Sequence, residues 1–105
     1  MKLNEYINFK ERNNMSIPQI TSIENALSIY YNHSELGNKE IIFLFGNRST
    51  STISKLKKIA KTEMTRKNIC SYGMYKINTS VAFTAWGIDI TDLEKRMKKL
   101  KELSL

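Results

Sequence analysis

The amino-acid sequence predicts a mainly α-helical domain with a small β-hairpin: a three-helix core, a β-flap and a C-terminal helix. Three observations predict it. Between residues 19 and 65, apolar residues recur at three- and four-residue steps in three successive runs bounded by Ser, Thr, Asn or Gly. That is the spacing of one helix face with its start and stop signals. Residues 69–78 instead place β-branched and aromatic residues on either side of Gly73, a strand-like composition around a turn former. Ile90, Leu93, Met97 and Leu100 then step by three, four and three, short heptad spacing on a last helix. At 105 residues the chain is sized for one domain.

Residues 1–18 are polar and rich in asparagine, and Asn13-Asn14 and Pro18 break the run. They are expected to form an N-terminal arm. The first helix is expected after Pro18. Thr21-Ser22-Ile23-Glu24 matches a capping box, in which Thr21 takes an orphan amide and Glu24 reaches back. Ile23, Ala26, Leu27, Tyr30 and Tyr31 form its stripe, and it stops near Asn32-His33. Ser34 to Asn38 reads as a loop. Lys39 to Phe45 reads as a short, mostly buried helix ended by Gly46. The apolar run Ile41–Phe45 suits a strand equally by periodicity, and the motif that follows decides for helix. Ser49 is the expected N-cap of the third helix, over residues 49–64. Ile53, Leu56, Ile59, Ala60 and Met64 make its apolar stripe, with Lys55, Lys57, Lys58 and Lys61 around the rest. Residues 69–78 are expected to form a hairpin or flap, with Tyr72 and Tyr75 packed partly on the core. Thr79 is expected to cap a brief helix, Ser80 to Trp86, closed by Gly87. Thr91-Asp92-Leu93-Glu94, a second capping box, opens the last helix, to about Leu103. The chain thus divides into an arm (1–18), a domain (19–88) and a C-terminal helix (89–105).

Composition excludes several classes. Cys70 is the single cysteine, so a disulfide-stapled secreted fold is ruled out. The longest apolar run, Ile41 to Phe45, is too short to span a bilayer. The first residues lack the apolar core of a signal peptide, so a cytoplasmic location and no membrane partner are expected. Nothing reads as an enzyme. His33 stands alone in a polar loop, and Cys70 has neither a CxxC partner nor zinc-ligand neighbours. Cys70 is expected to be a small core residue, and Trp86 a packed core aromatic. The four glycines make neither a P-loop nor GxGxxG. No cofactor and no metal are expected.

The charge points to a partner. Seventeen Lys+Arg against ten Asp+Glu give +7 and a pI near 9.6, which favours a polyanion. Residues 37–67 hold eight basic and two acidic groups, net +6, against −1 before them and +2 after. The excess therefore lies in one stretch.

That stretch carries a resemblance. From Asn38 to Ala60, Gly46 stands where a turn is needed, Ser49 opens a helix, and Thr52-Ile53 follow three and four residues later; Ile42 stands at the apolar packing position before the glycine. This resembles the helix-turn-helix of bacterial DNA-binding regulators. The order of three helices, with a tight turn between the second and third, and then a β-flap, resembles a winged helix-turn-helix, as in bacterial, phage or mobile-element regulators. The resemblance covers roughly residues 20–80 and is to the superfamily. Here Asn47 and Arg48 separate the glycine from the serine, so the turn is one residue longer than in the common motif.

The resemblance implies double-stranded DNA as partner and a small transcriptional regulator that reads the major groove with helix 49–64. The first turn of such a helix sees base edges. With Ile53 and Leu56 facing the core, Thr50, Ser51, Ser54 and Lys55 become the base-contacting candidates. Arg48, Lys58, Lys61, Lys67 and Lys76 become the phosphate-contacting candidates, which position the protein without specifying sequence. Tyr72 and Tyr75 would join Lys67 and Lys76 on a wing. Leu93, Met97 and Leu100 are candidates for a homodimer interface, and packing of that helix onto its own domain is the competing expectation. The alternative functions are a protein–protein adaptor built on the same fold, and an RNA-binding or replication-accessory role.

Overall fold

The computed structural model describes residues 17–104, and the expected arm lies outside them except for Ile17 and Pro18. Five helices and one two-stranded antiparallel sheet make up the described residues. α1 (Ile23–Asn32) is capped by Ser22, whose Oγ accepts the Asn25 N–H at 2.9 Å. The expected cap, Thr21, is diverted to the far end of the next helix. Its N–H donates to Leu44 O at 2.8 Å and its hydroxyl to Phe43 O at 3.0 Å. A tertiary contact thus moves the start of α1 by one residue.

The segment read as a loop after α1 contains a strand, β1 (Glu35–Leu36). α2 (Asn38–Phe45) follows, with Glu40 Oε1 accepting the Gly37 N–H at 2.8 Å. α2 buries Ile41, Leu44 and Phe45, while Ile42 and Phe43 are 39% and 49% exposed. The expectation of a mostly buried helix with Ile42 packed inside is therefore corrected. A two-turn helix on one side of a core buries only its i, i+3, i+4 face, and here that face begins at Ile41. Gly46 ends α2 at φ 85°, a conformation that costs glycine no steric penalty.

α3 (Thr50–Arg66) starts as expected, with Ser49 Oγ accepting the Thr52 N–H at 3.1 Å. It ends at Asn68, left-handed at φ 56°. The Asn68 N–H reaches Thr65 O at 3.1 Å and the Ile69 N–H reaches Met64 O at 2.9 Å. These two bonds are the Schellman pattern, and they satisfy carbonyls that the helix itself leaves free.

The sheet decides between the two forms expected of residues 69–78, hairpin or flap. β2 (Ile77–Asn78) pairs antiparallel with β1, in the register Glu35↔Asn78 and Leu36↔Ile77. Its partner is therefore not the other arm of residues 69–78. Those residues form an irregular flap, with a turn closed by Lys76 N–H to Gly73 O at 3.2 Å. Asn78 then caps α4 (Thr79–Ala85) by accepting the Val81 N–H at 3.0 Å. Thr79, the expected cap, instead gives its N–H to Ser34 O at 3.0 Å. α5 (Ile90–Leu103) is capped by Asp89 rather than Thr91, with the carboxylate accepting the N–H groups of Thr91 and Asp92.

The core collects one face from every element except α5. Trp86 lies at its centre, 4% exposed, with Nε1 donating to Leu56 O at 3.0 Å. Phe45 meets its ring edge-on at 5.2 Å between centroids, a favourable arrangement of ring quadrupoles. α5 lies outside, packing Ile90 and Leu93 against the core. Tyr31 on α1 donates a hydrogen bond to Glu94 on α5. That carboxylate raises the Tyr31 pKa, first through the hydrogen bond and then with some loss of solvation.

Candidate nucleic-acid interface

α3 presents two unlike faces. Ile53, Leu56, Ala60 and Met64 are buried in the core. The exposed positions are Thr50, Ser51, Ser54, Lys55, Lys58, Lys61, Thr62, Thr65 and Arg66. They are hydroxyls and cations only. Serine and threonine are moderate helix formers, so propensity does not explain their number here.

The base-contacting candidates Thr50, Ser51, Ser54 and Lys55 all lie exposed on the first turns of α3, behind the Ser49 cap. Lys58 and Lys61 continue the exposed surface. Among the described residues, Lys55, Lys58 and Lys61 form no ion pair. Arg48 is exposed in the turn, and its Nε donates to Phe45 O at 3.0 Å. It thereby caps the end of α2 with one nitrogen.

Lys67 is differently placed. It caps the end of α3, and its Nζ lies 3.9 Å from Glu63 Oε1. Glu63 also accepts hydrogen bonds from Arg66 Nε at 3.1 and 3.2 Å. The Arg66 guanidinium holds the Glu63 carboxyl below its ordinary range, chiefly by hydrogen bonding, with the charges of Arg66 and Lys67 adding. The C-terminal end of α3 is thus partly neutralised, and Lys55, Lys58 and Lys61 lie along its middle. Lys57 lies toward the core side, where its Nζ donates to Asn38 Oδ1 at 3.0 Å and ties α3 to α2. Burial lowers its pKa, and the Lys61 charge lowers it further.

The flap decides between the two placements expected for its tyrosines. Tyr72 and Tyr75 are 101% and 74% exposed rather than packed on the core, and Met74 between them is 80% exposed. Cys70, expected inside, is also exposed. The flap loops away from the core because backbone contacts rather than apolar burial hold it. The Glu35 carboxylate accepts the N–H groups of Tyr72 at 2.5 Å and Gly73 at 2.8 Å. Sequence reasoning missed Glu35, whose only local signal was a charged residue before a buried leucine. Lys76 is exposed. Its stem approaches two glycines: a Cβ would fall 2.8 Å from Lys76 Cδ at Gly73 and 3.9 Å from Lys76 Cε at Gly37.

The three dimer candidates separate. Leu93 packs against the core, Met97 is half-buried, and Leu100 is 51% exposed. Leu103, one step further, is 81% exposed. His33 is exposed. Among the described residues, no three His, Cys, Asp or Glu side chains converge as metal ligands, and no helix is long and apolar enough to cross a membrane. Comparison with protein-family models, curated proteins and solved structures returns no match to this chain.

Proposed function

We propose that the chain is a cytoplasmic DNA-binding protein, a small transcriptional regulator of winged helix-turn-helix type that reads the major groove with α3. The observation that carries this is the composition of the exposed α3 face. Its exposed positions hold hydroxyls, lysines and one arginine, with the half-buried Glu63 the single acidic residue, on a helix whose other face is core. The major groove admits one helix, and hydroxyl and ammonium groups can read its edges. Thr50, Ser51, Ser54 and Lys55 contact bases; Arg48, Lys58, Lys61 and Lys76 contact phosphates, with a weaker share from Lys67 because Glu63 opposes it. Neutralising about five phosphates gives a slope of log K against log salt near −4.5. In the same proposal two copies pair through the distal half of α5, where Leu100 and Leu103 are exposed. The recognition helices then sit about 34 Å apart on a two-fold symmetric site.

Selection of bound duplexes from a random pool at physiological salt tests the function. A returned sequence motif supports it, and two-fold symmetry in that motif supports the dimer. No enrichment together with a salt slope shallower than about −1 removes it.

A further inference from the structure

Tyr72, Met74 and Tyr75 stand in solvent on one short flap, so burial of apolar surface is not what holds it. Tyr75 sits at φ 65°, a left-handed conformation that a side chain with a Cβ adopts only at a cost. What fixes the flap is a carboxylate from a distant strand. Glu35 Oε2 accepts the Tyr72 N–H at 2.5 Å and Oε1 accepts the Gly73 N–H at 2.8 Å. The next residue, Leu36, is fully buried and paired with Ile77, so the ladder sets the position of Glu35. A Cβ on Gly73 would lie 2.8 Å from Lys76 Cδ and 3.2 Å from Glu35 Oε1. A side chain here would push the Lys76 stem aside and crowd the carboxylate, and glycine leaves room for both.

By charge alone, an acidic group at this place is unfavourable to a polyanion. Its use as a clasp resolves the conflict. We infer that Glu35 is a positioning residue for duplex binding: it presets the flap so that Tyr72, Tyr75 and Lys76 meet the nucleic acid already ordered. Binding then carries no cost for ordering this loop. Glu35 does not itself touch the duplex. The inference rests on the duplex-binding function proposed above.

The two effects of removing the charge have opposite signs, which makes the test decisive. Glu35→Gln keeps the size of the side chain and one acceptor oxygen but removes the charge. Gly73→Ala keeps the charge and crowds the clasp without altering β1. Hydrogen exchange at the Tyr72 and Gly73 amides, read without DNA, is expected to accelerate about tenfold in both variants. Duplex affinity, measured on a selected sequence, is expected to weaken about threefold to tenfold in both; in Glu35→Gln, which leaves the Lys76 stem in place, the salt slope stays unchanged because no phosphate contact is lost. Unchanged exchange at both amides overturns the clasp. Faster exchange with tighter or equal duplex binding by Glu35→Gln overturns the positioning role while leaving the proposed function intact. A native chain that binds no duplex overturns the proposed function and this inference together.

Discussion

Under the proposed function, replacing Lys58 and Lys61 together with alanine separates duplex binding from folding. Both side chains are exposed on α3 and form no ion pair among the described residues. Alanine is at least as good a helix former as lysine, so unfolding free energy should change by less than about 0.5 kcal/mol. The binding loss follows from counterion release. Each phosphate contact contributes about 0.9 to the slope, so at about 0.15 M salt it is worth roughly 0.7 of a log unit relative to 1 M. Two contacts give about thirtyfold, or about 2 kcal/mol, and the slope flattens from about −4.5 to about −2.7. The assay is fluorescence anisotropy on a labelled duplex between about 50 and 200 mM salt, with urea melts run in parallel. Parallel salt lines for the native and doubly substituted proteins would refute the placement of these lysines at phosphates. So would a binding loss accompanied by an equal loss of stability.

Trp86→Phe removes the Nε1 bond to Leu56 O inside the core and part of the ring volume. It should lower stability by about 1 to 3 kcal/mol in a urea titration, leaving duplex affinity untouched at temperatures where the variant stays folded. Asn68→Ala, at a left-handed position, should cost about 1 kcal/mol, and Asn68→Gly should be neutral or mildly stabilising. Thermal melts of the pair check this, and equal melting temperatures for the two variants would count against it. Glu63 has a pKa lowered in the folded state. Its contribution to stability is therefore present above the unfolded carboxyl range and fades as pH falls through the folded value. Glu63→Gln should flatten that acid-side loss in urea melts taken down through pH 4. At neutral pH it should tighten duplex binding by releasing Arg66 and Lys67 from the carboxylate.

Local chemistry made much of the fold readable. The Ser49 cap, the α3 stripe and the turn at Gly46 depend on neighbours three or four residues away, and sequence spacing reports those directly. The other caps slipped. Thr21, Thr79 and Thr91 each looked suitable, yet Ser22, Asn78 and Asp89 hold the positions. Where two capping side chains stand close together, the choice falls to contacts from elsewhere: Thr21 is drawn to the carbonyls of Phe43 and Leu44, and Thr79 to Ser34. β1 escaped notice because two residues carry no period. The flap stayed open between two readings because aromatic residues usually signal burial, whereas its anchor, Glu35, lies far back in the chain. At the candidate site the residue types were readable, and so was their exposure once Ile53 and Leu56 defined the inner face. The restraint on Arg48 and the neutralisation around Glu63 depend on side-chain positions that spacing alone does not give.

Among the described residues, every side-chain hydrogen bond made by the exposed residues of α3 stays within that helix or its cap. Thr62 bonds back to Lys58 O, Thr65 to Lys61 O, and Arg66 to Glu63. Among the described residues, no other element hydrogen-bonds to the side chains of Ser51, Ser54 or Lys55. Those positions are thus free to drift without endangering the fold, and a change of target can precede any compensating change in the core. Under the proposed function the scaffold is in that sense evolvable: stability and recognition would be written in separate residues of one helix.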